Sequence, residues 1–391
     1  MASDDARRHV KRHSNGTYYV RKYLGTNPVT GRKVEAYKTL SATTFDGAVR
    51  EASAFLHNLN ENPLVPVGLE RFIVAKERNR SPVNTTSTYR QCARYLNPYL
   101  ARIRVRDLTT ANVDEAYMEL LDHGMSDGSP LSSATVRTIN AFLSAAYRWL
   151  VGQGLADANP TDNATLPAKD GQEAMSLDEP SVATLMAMIG EAIRDDSRDG
   201  PAALRRNVAF AARIALYTGL RVGEVCGLHR SDVRMLQGDL HVWGTAIVEH
   251  GRTTFQPKTK GKRSRNVAIE PDDVAVIRAH EAWQASLFSA QASTPLVSVD
   301  GSYVSPKLVS KEFRAMALER GLPEWVHFHT LRHTHATIML QSGADINTVQ
   351  ERLGHASAST TLNTYGHVLP GRDREITQQF HRAMGLLAGG S

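Results

Sequence analysis

Residues 217–224 have the sequence Tyr-Thr-Gly-Leu-Arg-Val-Gly-Glu, which forms a break between two helical patterns. The first helix is predicted to stop at Gly219, because glycine commonly follows a helix end. Arg221 then falls in the first turn of the next helix, where free backbone N–H groups and the helix dipole favour an anion. The pattern indicates a phosphate site, although an arginine three residues before Glu224 is also typical of a surface ion pair.

A second polar stretch, His329-Thr330-Leu331-Arg332-His333, has an imidazole and a guanidinium three residues apart. A helix beginning near Thr330 places His329 and Arg332 on the same side. A zinc site needs a third ligand, and a metalloprotease motif needs glutamate directly after the first histidine, where this sequence has Thr330. We therefore expect no metal here.

The third stretch contains Leu353-Gly354-His355, followed ten residues later by Tyr365 on a predicted short helix that Ser359 caps. A tyrosine in a helix is, taken alone, more often a packing residue than a nucleophile. A basic cluster without any acid occupies a predicted turn between two short strands; its members are Lys258, Lys260, Lys262, Arg263 and Arg265.

Composition excludes several classes of protein. The chain has 391 residues, of which 41% are hydrophobic, as expected for a globular protein of two or three domains. Its net charge is +6, and residues 1–60 hold ten Lys or Arg against five Asp or Glu, so most of the excess is N-terminal. Only Cys92 and Cys226 are present, which excludes a disulfide framework. We find no membrane span and no export signal.

Periodicity predicts three globular units at residues 1–60, 65–165 and 176–391, joined by two linkers. The second linker ends at Ser176-Leu177-Asp178-Glu179, a capping-box signature. The fold class expected is α+β, mainly α. It comprises a small N-terminal β-sheet-plus-helix module, an all-α middle domain and a mostly α last domain with a short three-stranded sheet.

The strands of the first unit are predicted at residues 17–23 and 33–39, before a helix over 44–59. They carry basic residues beside tyrosines, a suitable surface for a sheet lying in a DNA groove: Arg21, Lys22, Lys33 and Lys38. In the last unit, strands are predicted at 239–250, 253–256 and 264–269. Together with the basic cluster, the first unit gives two positive surfaces, which suggests a polyanion held at more than one place.

The order of these motifs strongly resembles the tyrosine recombinases, the phage integrase family. The matching elements are Thr-Gly-Leu-Arg-Val-Gly-Glu at 218–224, Pro-Lys-Thr at 257–259, His-Thr-Leu-Arg-His at 329–333, Leu-Gly-His at 353–355 and Tyr-Gly-His at 365–367. The three-part layout extends the resemblance to most of the chain. It is most similar to integrases with an added N-terminal module for arm-type sites.

The resemblance implies that Tyr365 attacks the scissile phosphate and forms a 3′-phosphotyrosyl link with a free 5′-hydroxyl. It also implies that Lys258 protonates the leaving 5′ oxygen. Lys260 and Lys262 lie close to Lys258 in the same predicted turn, so either is an alternative general acid. With Arg263, these two lysines are also predicted to bind DNA.

The remaining motif residues are implied to surround the phosphate. Arg221 and Arg332 clamp the non-bridging oxygens, a task that suits the planar, permanently charged guanidinium. His329 and His355 donate hydrogen bonds, and His329 is a candidate proton acceptor for the phenol. Glu224 matches an acidic position that orients an Arg or His. No metal, ATP or other cofactor is implied.

The function implied is that of a site-specific recombinase, an integrase that exchanges DNA strands through a Holliday junction. Implied partners are double-stranded DNA with core and arm sites, a homotetramer, an excisionase and a host DNA-bending protein, in the bacterial cytoplasm at the nucleoid. A predicted helix over 374–387 docks on its own or a neighbouring protomer. The alternatives are a chromosome or plasmid dimer resolvase, a type IB topoisomerase and a catalytically silent DNA-binding protein.

Overall fold

A computed structural model describes residues 2–26, 33–79, 81–168, 175–198, 200–249, 251–257, 264–354, 377–378 and 380–382. The chain divides into two compact units, Met1–Gly171 and Gln172–Ser391. The first unit contains two separate hydrophobic cores, and the predicted boundary between domains at residues 60–65 stays a prediction. Within the described ranges, no helix is long and apolar enough to cross a membrane.

The N-terminal part is a three-stranded antiparallel sheet covered by helices. Its elements are α1 (Ala2–His9), β1 (Val10–Arg12), β2 (Tyr18–Thr26), β3 (Lys33–Thr39) and α2 (Phe45–Glu61), and the strand order is β1-β2-β3. Val20 of β2 is fully buried and packs in one core with Ala48 and Ala52 of α2. Both predicted strands and the predicted helix are confirmed. The short elements α1 and β1 were not predicted, because their charged sequence shows little apolar periodicity.

The middle part is helical, as predicted. It contains α3 (Val65–Arg78), α4 (Val83–Leu100), α5 (Thr110–His123) and α6 (Ser133–Gly152). Thr109 caps α5 in a reciprocal capping box with Asn112, and the Ser132 side chain caps α6. The aromatic residues Phe72 and Phe142 pack against each other inside this core.

The second unit is built around a buried helix. Its helices are α7 (Glu179–Arg194), α8 (Gly200–Thr218), α9 (Val222–Gly227), α10 (Pro271–Ala285), α11 (Pro306–Glu319), α12 (Phe328–Gln341) and α13 (Ile346–Leu353). Residues 206–212 of α8 are all buried, so neighbouring helices cover α8 on every side there. The N-cap of α7 is Asp178, which accepts from the Ser181 N–H at 3.1 Å. The capping box predicts Ser176 as the N-cap, which is wrong by two residues. The Asp178 carboxylate is the group that reaches the free N–H of Ser181, and the Leu177 N–H donates to the Thr334 hydroxyl.

The strands of the second unit form two sheets. The strands are β4 (Val233–Arg234), β5 (Asp239–Val242), β6 (Gly244–Glu249), β7 (Arg252–Pro257) and β8 (Arg265–Ala268). β4, β5 and β8 form a three-stranded sheet, and β6 pairs with β7 as a separate hairpin. The predicted strand over 239–250 is therefore broken at Trp243, whose indole N–H donates to Asp232 at 2.8 Å. The fold class, α+β and mainly α, is confirmed.

Candidate active site

Arg332 is the central side chain of the site and is only 1% exposed. Its Nη1 donates to the Gly219 carbonyl at 2.6 Å, and its Nη2 donates to the Leu353 carbonyl at 2.8 Å. These carbonyls follow the last turn of α8 and end α13, where backbone acceptors lack helical partners and the dipole favours a cation. One guanidinium therefore joins three of the motifs, at positions 219, 332 and 353.

Gly219 ends α8 with φ +70°, a left-handed conformation that favours glycine. The space at its Cα is also closed, because an added Cβ would lie 2.6 Å from Leu353 Cδ2 and 2.7 Å from His335 Cδ2. This close packing lets the Gly219 carbonyl reach Arg332 and turns the chain towards Arg221.

Arg221 is the N-cap residue of α9, one position before the first helical turn in which it was predicted. Its side chain is 42% exposed, and its Nη1 lies 3.5 Å from Glu224 Oε1. The Arg221 backbone N–H also donates to Glu224 Oε2 at 3.1 Å. Because Glu224 is buried, the carboxylate holds Arg221 at the protein surface from beneath.

Arg265 binds the same carboxylate from the interior. Its Nη1 and Nη2 each donate to an oxygen of Glu224 at 2.9 Å, and its Nε donates to the Arg352 carbonyl at 2.8 Å. The guanidinium also lies against Gly354, where an added Cβ would be 2.8 Å from Nη1. The prediction that Arg265 belongs to a positive surface is wrong, since its side chain is largely buried.

Arg352 and His335 complete the inner layer of the site. Arg352 Nε donates to His335 Nε2 at 3.1 Å, and its Nη2 bonds to the Tyr217 carbonyl at 3.0 Å. His335 Nδ1 lies 2.8 Å from the Leu216 carbonyl, so it carries the proton and Nε2 is the acceptor. Burial and the charge of Arg352 lower the pKa of His335 to about 4, which leaves the imidazole neutral at pH 7.

His329 lies in the first turn of α12, which begins at Phe328. Desolvation of the His329 ring lowers its pKa to about 4, although the residue is exposed. The neighbouring His333 and the positive charges of Arg332 and Arg221 lower the pKa further. The His329 and His333 rings meet edge to face at 4.7 Å. A pKa near 4 keeps His329 neutral at pH 7, which leaves one ring nitrogen without a proton.

The structure thus brings together four of the predicted residues: Arg221, Glu224, His329 and Arg332. Six others lie outside the described residues, namely Lys258, Lys260, Lys262, Arg263, His355 and Tyr365. The predicted helix over 374–387 also lies outside them, apart from residues 377–378 and 380–382. In the described ranges, no group of three or more His, Cys, Asp or Glu residues is arranged to hold a metal ion.

The strand residues predicted to bind DNA lie on both faces of the N-terminal sheet. Lys38 stands opposite the buried Val20 and pairs with Glu51 of α2 at 3.3 Å, so it lies on the helix-covered face. Lys22 stands opposite Ala36 on that same face. Arg21 lies on the outer face opposite Tyr37, and its Nε donates to Glu35 at 2.6 Å. Lys33 is the first residue of β3 and stands opposite Thr26, and its side chain is not described.

The sequence alone predicted no role for Arg352 or His335, and it placed Arg265 on a positive surface instead of beneath the site. Arg352 directly precedes the Leu353-Gly354 motif, and His335 follows Arg332 by three residues. Nearness to a motif was therefore the signal that could have identified both residues. Nothing in the local sequence connects Arg265 with Glu224, which is 41 residues away in the chain.

Replacing Gly219 by alanine is expected to lower the free energy of unfolding by about 2–5 kcal/mol, since left-handed strain adds to the clash with Leu353 and His335. Gly321→Ala is the matched control: Gly321 has φ +76°, but no described atom lies within 4 Å of an added Cβ. In this control the free energy of unfolding should fall only by the cost of the strained backbone, about 1–2 kcal/mol. Urea unfolding followed by tryptophan fluorescence measures both, and equal losses would refute the close-packing argument.

The second unit is similar in sequence to known proteins. The model of the phage integrase family matches residues 177–372, just over half of the chain. The tyrosine recombinases XerC of Escherichia coli O127:H6 (strain E2348/69 / EPEC) and of Escherichia coli (strain K12 / DH10B) are each 34% identical over 150 residues. That alignment covers 38% of this chain and 45% of each relative, so the chain spans less than half the length of these relatives.

Solved structures share the fold. A Tn1549 transposon integrase in complex with a circular intermediate DNA matches with a TM-score of 0.67 and 17% identity, over 82% of this chain and 99% of that one. A lambda integrase dimer bound to a COC′ core site matches with a TM-score of 0.55 and 18% identity, over 92% and 95%. With the family model matched over the part that contains Arg221, His329 and Arg332, the chain belongs to the phage integrase family, the tyrosine recombinases.

Proposed function

We propose that this protein is a site-specific DNA recombinase that cuts and rejoins DNA through a covalent link to Tyr365. The observation that carries the proposal is the hydrogen bonding of Arg332 to Gly219 and Leu353. These bonds join the turn before Arg221, the helix that carries His329 and the end of α13, from which the chain continues to His355 and Tyr365.

The chemistry follows from the residue types. A phenol with a pKa of about 10 is a weak nucleophile at neutral pH, so it needs a proton acceptor and nearby cations. His329, neutral at pH 7, accepts the phenolic proton as Tyr365 forms the new O–P bond. Arg221 and Arg332 balance the charge of the pentacoordinate phosphate, and Lys258 gives its proton to the departing 5′ oxygen.

This mechanism needs neither a metal ion nor ATP. The fixed cations do what divalent metals do in other phosphoryl-transfer enzymes. The phosphotyrosyl bond replaces the broken phosphodiester at little energetic cost, so attack by a 5′-hydroxyl reverses the step and joins strands. Two rounds of exchange, through a Holliday junction, then integrate one DNA molecule into another.

The N-terminal sheet is assigned to arm-type DNA sites. Its outer face carries Arg21 together with Tyr23 and Tyr37, both of which are about half exposed. The Arg21–Glu35 pair is at the surface, where ion pairs contribute little, so a DNA phosphate can replace the glutamate. Lys33, Lys260, Lys262 and Arg263 are assigned to phosphate contacts by motif and charge.

The assembly is proposed to be a homotetramer on DNA, since a lambda integrase tetramer bound to a Holliday junction shares the fold with a TM-score of 0.54. An excisionase and a host DNA-bending protein are proposed as the partners that set direction. The reaction is placed in the bacterial cytoplasm at the nucleoid.

A dimer resolvase is the second candidate function, and the similarity to the XerC recombinases favours it. That similarity covers 150 residues, which is too short to include the N-terminal module as well as the catalytic region. The basic sheet of the first sixty residues is the feature that favours the integrase.

Purified protein is expected to form a covalent adduct with the 3′ end of a cleaved strand, in EDTA and without ATP. The substrate is DNA flanking the protein's own gene, where an integrase attachment site often lies, and a denaturing gel resolves the products. Tyr365→Phe should bind this DNA but form no adduct. An adduct of equal yield with Tyr365→Phe, or none with wild type on bound DNA, would contradict the assignment of the nucleophile.

Deleting residues 1–60 separates the two candidate functions. An integrase that needs arm sites should lose integration and still cleave an isolated core site, because its catalytic unit is unchanged. A resolvase should lose little recombination. The measurement is recombination of paired attachment sites, with core-site cleavage as the control for folding of the truncated chain.

A further inference from the structure

A chain of hydrogen bonds outside the family motifs runs through the second unit from Tyr303 to Trp243. The Tyr303 hydroxyl lies 2.7 Å from His229 Nε2, and His229 Nδ1 lies 2.8 Å from Asp232 Oδ2. The other oxygen of Asp232 accepts from the Trp243 indole N–H at 2.8 Å. His229 and Asp232 are both buried, so the bond between them is shielded from water, and the bonds to Tyr303 and Trp243 are partly buried.

This chain surrounds one aromatic side chain of β7. The Phe255 ring centroid lies 4.4 Å from that of Trp243, 4.8 Å from that of His229 and 6.2 Å from that of Tyr303. The ring also covers Gly244, where an added Cβ would lie 2.1 Å from Phe255 Cζ. Phe255 is therefore fixed on three sides by side chains and on a fourth by the backbone of β6.

The two strands of the hairpin are held differently. β6 packs directly against two glycines of α9. A Cβ added to Gly223 would lie 2.5 Å from Thr245 Oγ1, and a Cβ added to Gly227 would lie 2.9 Å from the Ala246 backbone nitrogen. In the described part of the chain, β7 pairs only with β6. Because a two-stranded hairpin is marginally stable by itself, the position of β7 depends on how firmly Phe255 is held.

The last residue of β7 is Pro257, which stands opposite Gly244, and Lys258 follows it directly in the chain. We propose that Tyr303, His229, Asp232 and Trp243 are positioning residues that fix the end of β7, the point from which the chain continues to Lys258. The proposal rests on the proposed function, in which this segment supplies the proton for the leaving 5′ oxygen.

A second interpretation of the same residues is catalytic. A hydroxyl, an imidazole and a carboxylate in this order are also typical of a nucleophile with its base. Burial and the negative charge of Asp232 raise the pKa of Tyr303, which opposes formation of a phenolate. The hydroxyl instead serves as a stable donor to His229, and this favours the positioning role.

Two conservative variants test the proposal. Trp243→Phe keeps an aromatic ring but removes the donor to Asp232, and Tyr303→Phe removes the donor to His229. Each is assayed by single-turnover cleavage of two core-site DNAs, one with the ordinary scissile phosphodiester and one with sulfur in place of the 5′ bridging oxygen. A thiolate is a good leaving group without a proton, so the second DNA does not need a general acid.

Both variants are expected to cleave the ordinary DNA about 10- to 100-fold more slowly than wild type, as a misplaced proton donor predicts. On the sulfur-substituted DNA both should match wild type within about threefold, because protonation no longer limits the rate. Lys258→Ala should behave in the same way, whereas Arg221→Lys should be slow on both DNAs. Trp283→Phe is the matched control, since its indole nitrogen is buried with no hydrogen-bond partner among the described residues.

Equal slowing of a variant on both DNAs, or no slowing on either, would overturn the proposal. The comparison is made with variants that bind DNA, and the unfolding temperature of each variant is measured beside wild type. If a variant unfolds earlier, the ratio of its two cleavage rates remains the deciding quantity, since loss of folded protein slows both reactions equally. Failure of the proposed function has a different result: wild type itself forms no covalent adduct with either DNA.

Discussion

The buried guanidinium of Arg332 is the constraint on which the second unit depends. Removing a charge from water is costly unless fixed acceptors replace the water, and here the carbonyls of Gly219 and Leu353 do so. Both carbonyls lie where a helix ends and its backbone acceptors are otherwise unsatisfied. The ends of α8 and α13 must therefore meet at α12, and the candidate site forms where they meet.

A second set of bonds transmits this arrangement to the surface. Glu224 receives Arg265 from inside and Arg221 from outside, while Arg265 also holds the carbonyl of Arg352. His335 then joins Arg352 to the end of α8. Arg221 is thus supported by buried side chains, which give it the defined geometry that the proposed phosphate contact requires. Substitutions in this layer are expected to affect stability and activity together.

The sequence predicted most of the helices well, because apolar periodicity and turn residues act over a few positions. It failed where structure depends on contacts between distant positions. Glu224 and Arg265 are joined only through space, and the strand predicted over 239–250 divides at Trp243 into strands of two separate sheets. Likewise, only the pairing register shows that Lys22 and Lys38 share the helix-covered face, whereas Arg21 lies on the other.

The most direct test of the account is hydrogen–deuterium exchange in Arg332→Lys. Lysine keeps the positive charge but lacks the planar fork that reaches both carbonyls. Arg320→Lys, an exposed arginine in the same unit, is the control. The account predicts faster exchange in Arg332→Lys at residues 219–221 and at 353–354, with wild-type protection in the control. Wild-type protection at both segments in Arg332→Lys would contradict the claim that this one side chain joins them.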